Sequence, residues 1–204
     1  VYMDRGLASY RPHAGEVVQV DYHYWGSYSG SPGFLSGYPA KLVHGLQGKE
    51  GNTTIVAASE VGEDAKELAE ILGRLTGREP RIVDPSSASQ DDLDANLVIL
   101  ATSSSASFYQ EVQGWRKNAY WLSSFEEGKL WLNGLVRGKR TELEQGCAIM
   151  CMDFPGRDAW AVMVFATDES WLVKGLKELN ERTTVGFCAA FAVTPSGVVR
   201  LPVE

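Results

Sequence analysis

Three apolar runs in this 204-residue chain close on Ala-Ser or Ala-Thr and give way to helical periodicity: residues 54–59 (Thr-Ile-Val-Ala-Ala-Ser), 97–102 (Leu-Val-Ile-Leu-Ala-Thr) and 162–167 (Val-Met-Val-Phe-Ala-Thr). Runs of this length, rich in β-branched residues, read as buried strands, and a strand that hands over to an amphipathic helix is one βα unit. Three such units predict parallel strands joined by right-handed crossovers, with helices covering the sheet. The unbroken apolar character of 97–101 and 159–166 predicts central strands buried on both faces.

The first unit continues into a helix over about 62–76, in which Ala65, Leu68, Ala69, Leu72 and Leu75 recur at three- and four-residue spacing. Ser59 or Glu60 is its expected cap, Glu63 and Asp64 favour its amino end, and Gly77 ends it. A short strand over 81–84 and a polar, acidic loop over 88–94 lead to strand 97–101. A helix near 106–113 and strands near 119–122, 129–136 and 146–153 come next. A helix over 169–179 turns Trp171, Leu172, Leu176 and Leu179 inward, and a hairpin of 185–193 with 198–203 folds around residues 194–197.

The first 50 residues have a different character, rich in Gly, Ser and Tyr and containing all three histidines, His13, His23 and His44. Residues 16–25 alternate, with Val18, Val20, Tyr22 and Tyr24 on one face and Val17, Gln19, Asp21, His23 and Trp25 on the other, as in a long half-buried strand. Residues 40–46 read as a short strand or turn. The expected organisation is an N-terminal β extension over 1–50 and an α/β domain over 51–204.

A formal charge of −7 excludes the clustered basic surface that phosphate backbones require, so no nucleic-acid partner is expected. The one basic cluster, at 137–140, reads as a solvated turn. No apolar stretch approaches the roughly 20 residues needed to cross a bilayer. A start at Val1 reads as a processed N-terminus or a fragment of a longer chain. Cys147, Cys151 and Cys188 lie in apolar strand-like runs and are expected as buried thiols, a bridge from Cys188 to one of the others being the alternative. Asn52-Thr53-Thr54 is an N-glycosylation acceptor sequence, making a glycan an expected partner at Asn52.

Ligands of open parallel sheets bind beyond the carboxyl ends of the strands. Two of the three turns there carry carboxylates, Glu60, Glu63 and Asp64 in one and Asp168 and Glu169 in the other, which repel phosphate. Neither has phosphate-binding glycine spacing, and no cofactor is expected. The middle turn, Ser103, Ser104 and Ser105, is neutral and hydroxyl-rich, suited to capping or to a small polar ligand, with Trp121 as a neighbouring stacking platform alongside Trp115, Tyr120 and Trp131. A nucleophilic serine lacks a nearby base, because every histidine lies in the first 44 residues and no Gly-x-Ser-x-Gly elbow occurs. A metal set drawn from His13, Asp21, His23 and His44 has no recognised ligand spacing, so no metal is expected.

Residues 52–59 with their helix, 94–102, and 158–168 with 172–179 together resemble the Rossmann-like modules of archaeal surface-layer and large secreted proteins. That resemblance implies a mainly parallel, Rossmann- or flavodoxin-like sheet flanked by helices, with added antiparallel strands and an N-terminal strand extension. It also implies a structural role without catalytic residues. The functional expectation is a non-catalytic extracellular or cell-surface module, not an enzyme, that forms a homo-oligomer or polymer through strand addition by Val18, Val20, Tyr22 and Tyr24. A carbohydrate-binding domain or an accessory domain of a secreted hydrolase is the alternative.

Overall fold

The computed structural model describes Leu35 and residues 38–44, 51–105, 122–134, 139–154, 159–181 and 190–201. In chain order the elements are α1 (Ala40–His44), β1 (Thr53–Ala57), α2 (Gly62–Thr76), β2 (Arg81–Val83), α3 (Gln90–Leu93), β3 (Asn96–Thr102), β4 (Ser123–Glu126), β5 (Lys129–Asn133) and β6 (Arg140–Leu143). They continue with β7 (Cys147–Phe154), β8 (Ala159–Ala166), α4 (Glu169–Glu181), β9 (Ala190–Thr194) and β10 (Gly197–Leu201).

Seven strands form one mixed sheet in the order β10-β9-β7-β8-β3-β1-β2. The pairs β1–β2, β1–β3 and β3–β8 are parallel, whereas β7–β8, β7–β9 and β9–β10 are antiparallel. This overturns the mainly parallel, Rossmann- or flavodoxin-like sheet expected from sequence. An unbroken apolar run reports burial on two faces and is silent about the direction of its neighbours. Residues 155–158 are too short a connection for a parallel crossover, so β7 returns directly alongside β8 and separates it from β9.

The same blindness applies to what covers the sheet. On one face Ile55, Val98, Leu100, Ile149, Val164 and Phe191 pack beneath Leu68 and Leu72 of α2 and Leu172, Leu176 and Leu179 of α4. On the other, Leu97, Ile99, Met150, Met163 and Phe165 meet Phe125, Leu130, Leu132 and Leu143 of a three-stranded antiparallel sheet, β4-β5-β6. The molecule is therefore layered as helices, mixed sheet and small sheet. The Phe125 and Phe165 rings join the two sheets, with centroids 5.5 Å apart and planes tilted by 57°.

Several local expectations change in instructive ways. Residues 40–44 are helical, and Leu35, Tyr38 and Leu42 are buried in the helix-side core, so part of the first 50 residues packs as core. The polar 88–94 segment contains α3, whose start is a full capping box: the Asp92 amide donates to Ser89 Oγ, and the Ser89 amide donates to Asp92 Oδ2 at 3.0 Å. Neither Ser59 nor Glu60 caps α2; residues Ser59–Val61 form a tight 3₁₀ turn that feeds directly into it. Gly77 does end that helix, at φ 69°, with its amide donating to the Gly73 carbonyl at 2.9 Å. Leu75, expected inward, is half exposed, and Arg140 begins β6 instead of lying in a turn. The expected helix near 106–113 lies outside the described residues.

Candidate functional site

Strands β1, β3 and β8 lie side by side and parallel, so their carboxyl ends bring Ser59–Val61, Ser103–Ser105 and residues 167–169 to one edge of the sheet. After β1 and β8 the chain passes to the helical face, through α2 and α4. After β3 the next described elements, β4 to β6, lie on the opposite face. Divergent connections of this kind place the Ser103–Ser105 turn where an open sheet leaves its crevice.

The side chains at that edge bond mainly to their own turns. Ser105 Oγ accepts from the Thr102 amide at 2.9 Å and donates to the Thr102 carbonyl at 3.1 Å. Thr102 Oγ1 and Ser104 Oγ share a hydrogen bond at 2.7 Å. Ser103 is half-buried and Ser104 exposed. In the neighbouring turn the Thr167 amide donates to the Gly146 carbonyl at 2.9 Å, and Thr167 Oγ1 accepts from the Gly146 amide at 3.2 Å. Gly146 itself is tightly enclosed: a Cβ there would stand 2.5 Å from the Val193 carbonyl oxygen.

Asp168 receives the Ser170 hydroxyl at 2.7 Å and the Trp171 amide at 3.2 Å, which caps the first turn of α4. The Ser170 hydroxyl bond, followed by backbone donors, holds its carboxyl below the ordinary carboxylate range. Asp92 is lowered in the same way, chiefly by the Ser89 hydroxyl and further by Arg81, whose Nη1 lies 2.6 Å from its carboxylate. Asp84 is lowered by the Ser86 hydroxyl and amide. A carboxyl whose folded pKa is depressed contributes stability above its unfolded value, about 4, and that stability is lost as pH falls through the folded value. Thermal melts from neutral to acid pH should therefore hold level down to about pH 4 and fall below it. Asp168→Asn should flatten part of that fall, and an unchanged acid limb would contradict the capping role.

At the opposite end of the parallel strands, Asn96 was not singled out by its sequence context. Its backbone amide donates to the Asn52 carbonyl at 2.9 Å, just ahead of β1, and its side-chain Oδ1 accepts from the Trp160 amide at 3.0 Å, so the buried side chain ties the starts of β3 and β8 while the backbone holds the approach to β1. The signal was present in a polar residue opening an otherwise apolar run, but such residues more often simply end a strand.

The remaining expected site residues separate. Trp131 does not join the Ser103–Ser105 edge, because in β5 it alternates with Leu130 and Leu132, which face the core, and so points away from the mixed sheet. The Arg140 guanidinium lies over its ring, 4.3 Å from the centroid, and pairs with Glu126 across the small sheet, which closes a ring face that stacking would use. Asn52 is exposed. Cys147 and Cys151 are buried on the helix-side face, and burial pushes the Cys147 thiol up and out of nucleophilic range. Of the imagined metal set only His44 is described, and no group of three His, Cys, Asp or Glu residues converges among the described residues. No described helix is long and apolar enough to cross a membrane. Val18, Val20, Tyr22, Tyr24, Trp115, Tyr120, Trp121 and Cys188 lie outside the described residues. No protein-family model and no curated protein sequence matches the chain.

Proposed function

We propose that the chain is a non-catalytic structural module of the cell exterior that assembles with copies of itself into a layer or filament. In this reading residues 16–25 of one copy add as a strand to the β10 edge of the next. The observation that carries it is the character of that edge. Among the described residues β10 pairs with β9 alone, and it presents Val198, 40% exposed, with Arg200 as the single charge in the strand. Strand edges normally carry charges, prolines or bulges that prevent pairing with another chain, and β10 has little of this protection. The alternating segment 16–25, with Val18, Val20, Tyr22 and Tyr24 on one face, has the pattern of a donor strand, in which the backbone supplies affinity and alternate side chains supply specificity. The self-bonded Ser103–Ser105 and Asp168 turns support a role that does not use the sheet's carboxyl edge for chemistry.

Light scattering on the full chain tests the reading. Deleting residues 1–50 would strip Leu35, Tyr38 and Leu42 from the core, so point changes are the appropriate probe. The full chain should scatter as multiples of 22.3 kDa. Val198→Lys, and a variant with Val18, Val20, Tyr22 and Tyr24 all changed to Ser, should each return the mass to one chain while leaving the circular dichroism spectrum intact. A single-chain mass for the unmodified protein, or an assembly that survives both variants, would overturn the proposal.

A further inference from the structure

The Asn52-Thr53-Thr54 triplet is not used by the assembly edge, and it is the one Asn-x-Ser/Thr sequence in the chain. Its two recognition groups have opposite environments. Asn52 is exposed just ahead of β1, following an exposed Gly51, and its described bond is through the backbone carbonyl to Asn96. Asn52 as a residue is exposed, as a modified side chain requires. Thr54 is 3% exposed and lies inside a strand hydrogen-bonded on both sides, in register with Arg81 of β2 and Leu97 of β3.

We propose that Asn52 carries an N-linked oligosaccharide and that it is attached before β1 joins the sheet. The folded structure accommodates the product, but it withdraws half of the acceptor, because an enzyme that must reach both the Asn52 amide and the Thr54 hydroxyl cannot do so once β2 and β3 flank β1. In the transfer, the amide nitrogen displaces the phosphate of a polyprenyl-phosphate-linked oligosaccharide. The sugar C1–O bond breaks, the C1–N bond forms, the phosphate leaves with the bonding pair and the amide gives up a proton. The glycan then stands at the amino ends of the parallel strands, away from the Ser103–Ser105 edge. Modification in the native source rests on the exterior location proposed above; the competence of the site does not.

The test is to secrete the full chain behind a heterologous leader from a host that performs N-glycosylation. Mass spectrometry should find one oligosaccharide on the Asn52 peptide, released by peptide N-glycosidase with conversion of Asn52 to Asp. It should be lost in Asn52→Gln and Thr54→Val and kept in Thr54→Ser. Unmodified Asn52 in the secreted protein would overturn the proposal while leaving the assembly reading standing. A native protein without glycan beside a modified secreted one would support the site and contradict the exterior location. For the order of events, folded protein from a non-glycosylating host, given solubilised transferase and lipid-linked donor, should accept no sugar. A Gly175→Leu chain shown to be unfolded should accept it. Equal transfer to both would overturn attachment before folding.

Discussion

Phe165→Ala is expected to lower the unfolding free energy by about 3–5 kcal/mol, a large share of the stability of a domain this size. Phe165 is fully buried in β8, where its register partners are Ala101 on β3 and Ala148 on β7. Small neighbours on both sides leave the ring to fill the space between the mixed and small sheets, so its truncation opens a cavity there. Its contact with Phe125 links those layers, so the change should also loosen β4–β6. Urea denaturation measures it: a lower midpoint is expected, and a loss under about 1 kcal/mol would mean that the layers are not packed through this ring.

The second large effect concerns the other face. Helix α4 crosses β7 at Gly175, where a Cβ would fall well inside van der Waals contact of the Cys147 sulfur and 3.0 Å from the Cys147 Cβ. Alanine is intrinsically better in a helix by about 1 kcal/mol, yet overpacking a rigid core costs about 1–3 kcal/mol, and the sheet beneath Cys147 is held on both sides by β8 and β9. Gly175→Ala is therefore expected to destabilise by about 2 kcal/mol, and Gly175→Leu to prevent folding. In a Cys147→Ala background the sulfur is gone, and the penalty of Gly175→Ala should shrink to under about 1 kcal/mol, a coupling that a double-mutant cycle reads directly. Equal penalties in both backgrounds would show that helix and strand do not meet there.

These two positions also show how far the sequence could be read. Strands 159–166 and 97–102 declared their burial through unbroken apolar runs, and the helix over 62–76 declared its length through periodicity and Gly77, because those signals are local. The direction of β7 is not local. Cys147–Phe154 reads the same whether its neighbours run with it or against it, and the short 155–158 connection was the available clue that the sheet turns back on itself. The helix starting at Ala40 and the capping box at Ser89 were hidden because each helix is too short to repeat the i, i+3, i+4, i+7 spacing by which helices are read. At the sheet's carboxyl edge the sequence showed which residues would gather, namely Ser103, Ser104, Ser105 and Asp168. It could not show that the Ser104 and Ser105 hydroxyls and the Asp168 carboxylate bond back to their own turns, since that depends on backbone geometry at a scale of tenths of an ångström. Arg140 over Trp131 depended on a pairing of β5 with β6 that a basic 137–140 cluster concealed.

The central claim is that β10 is an edge that receives a strand from another copy. Hydrogen–deuterium exchange, compared between concentrated and highly dilute full chain, addresses it most directly. Amides of Gly197–Leu201 should exchange more slowly in the concentrated sample, together with those of residues 16–25, while the amides of central strand β3 keep one rate throughout. Exchange in β10 that is the same at both concentrations would contradict the account.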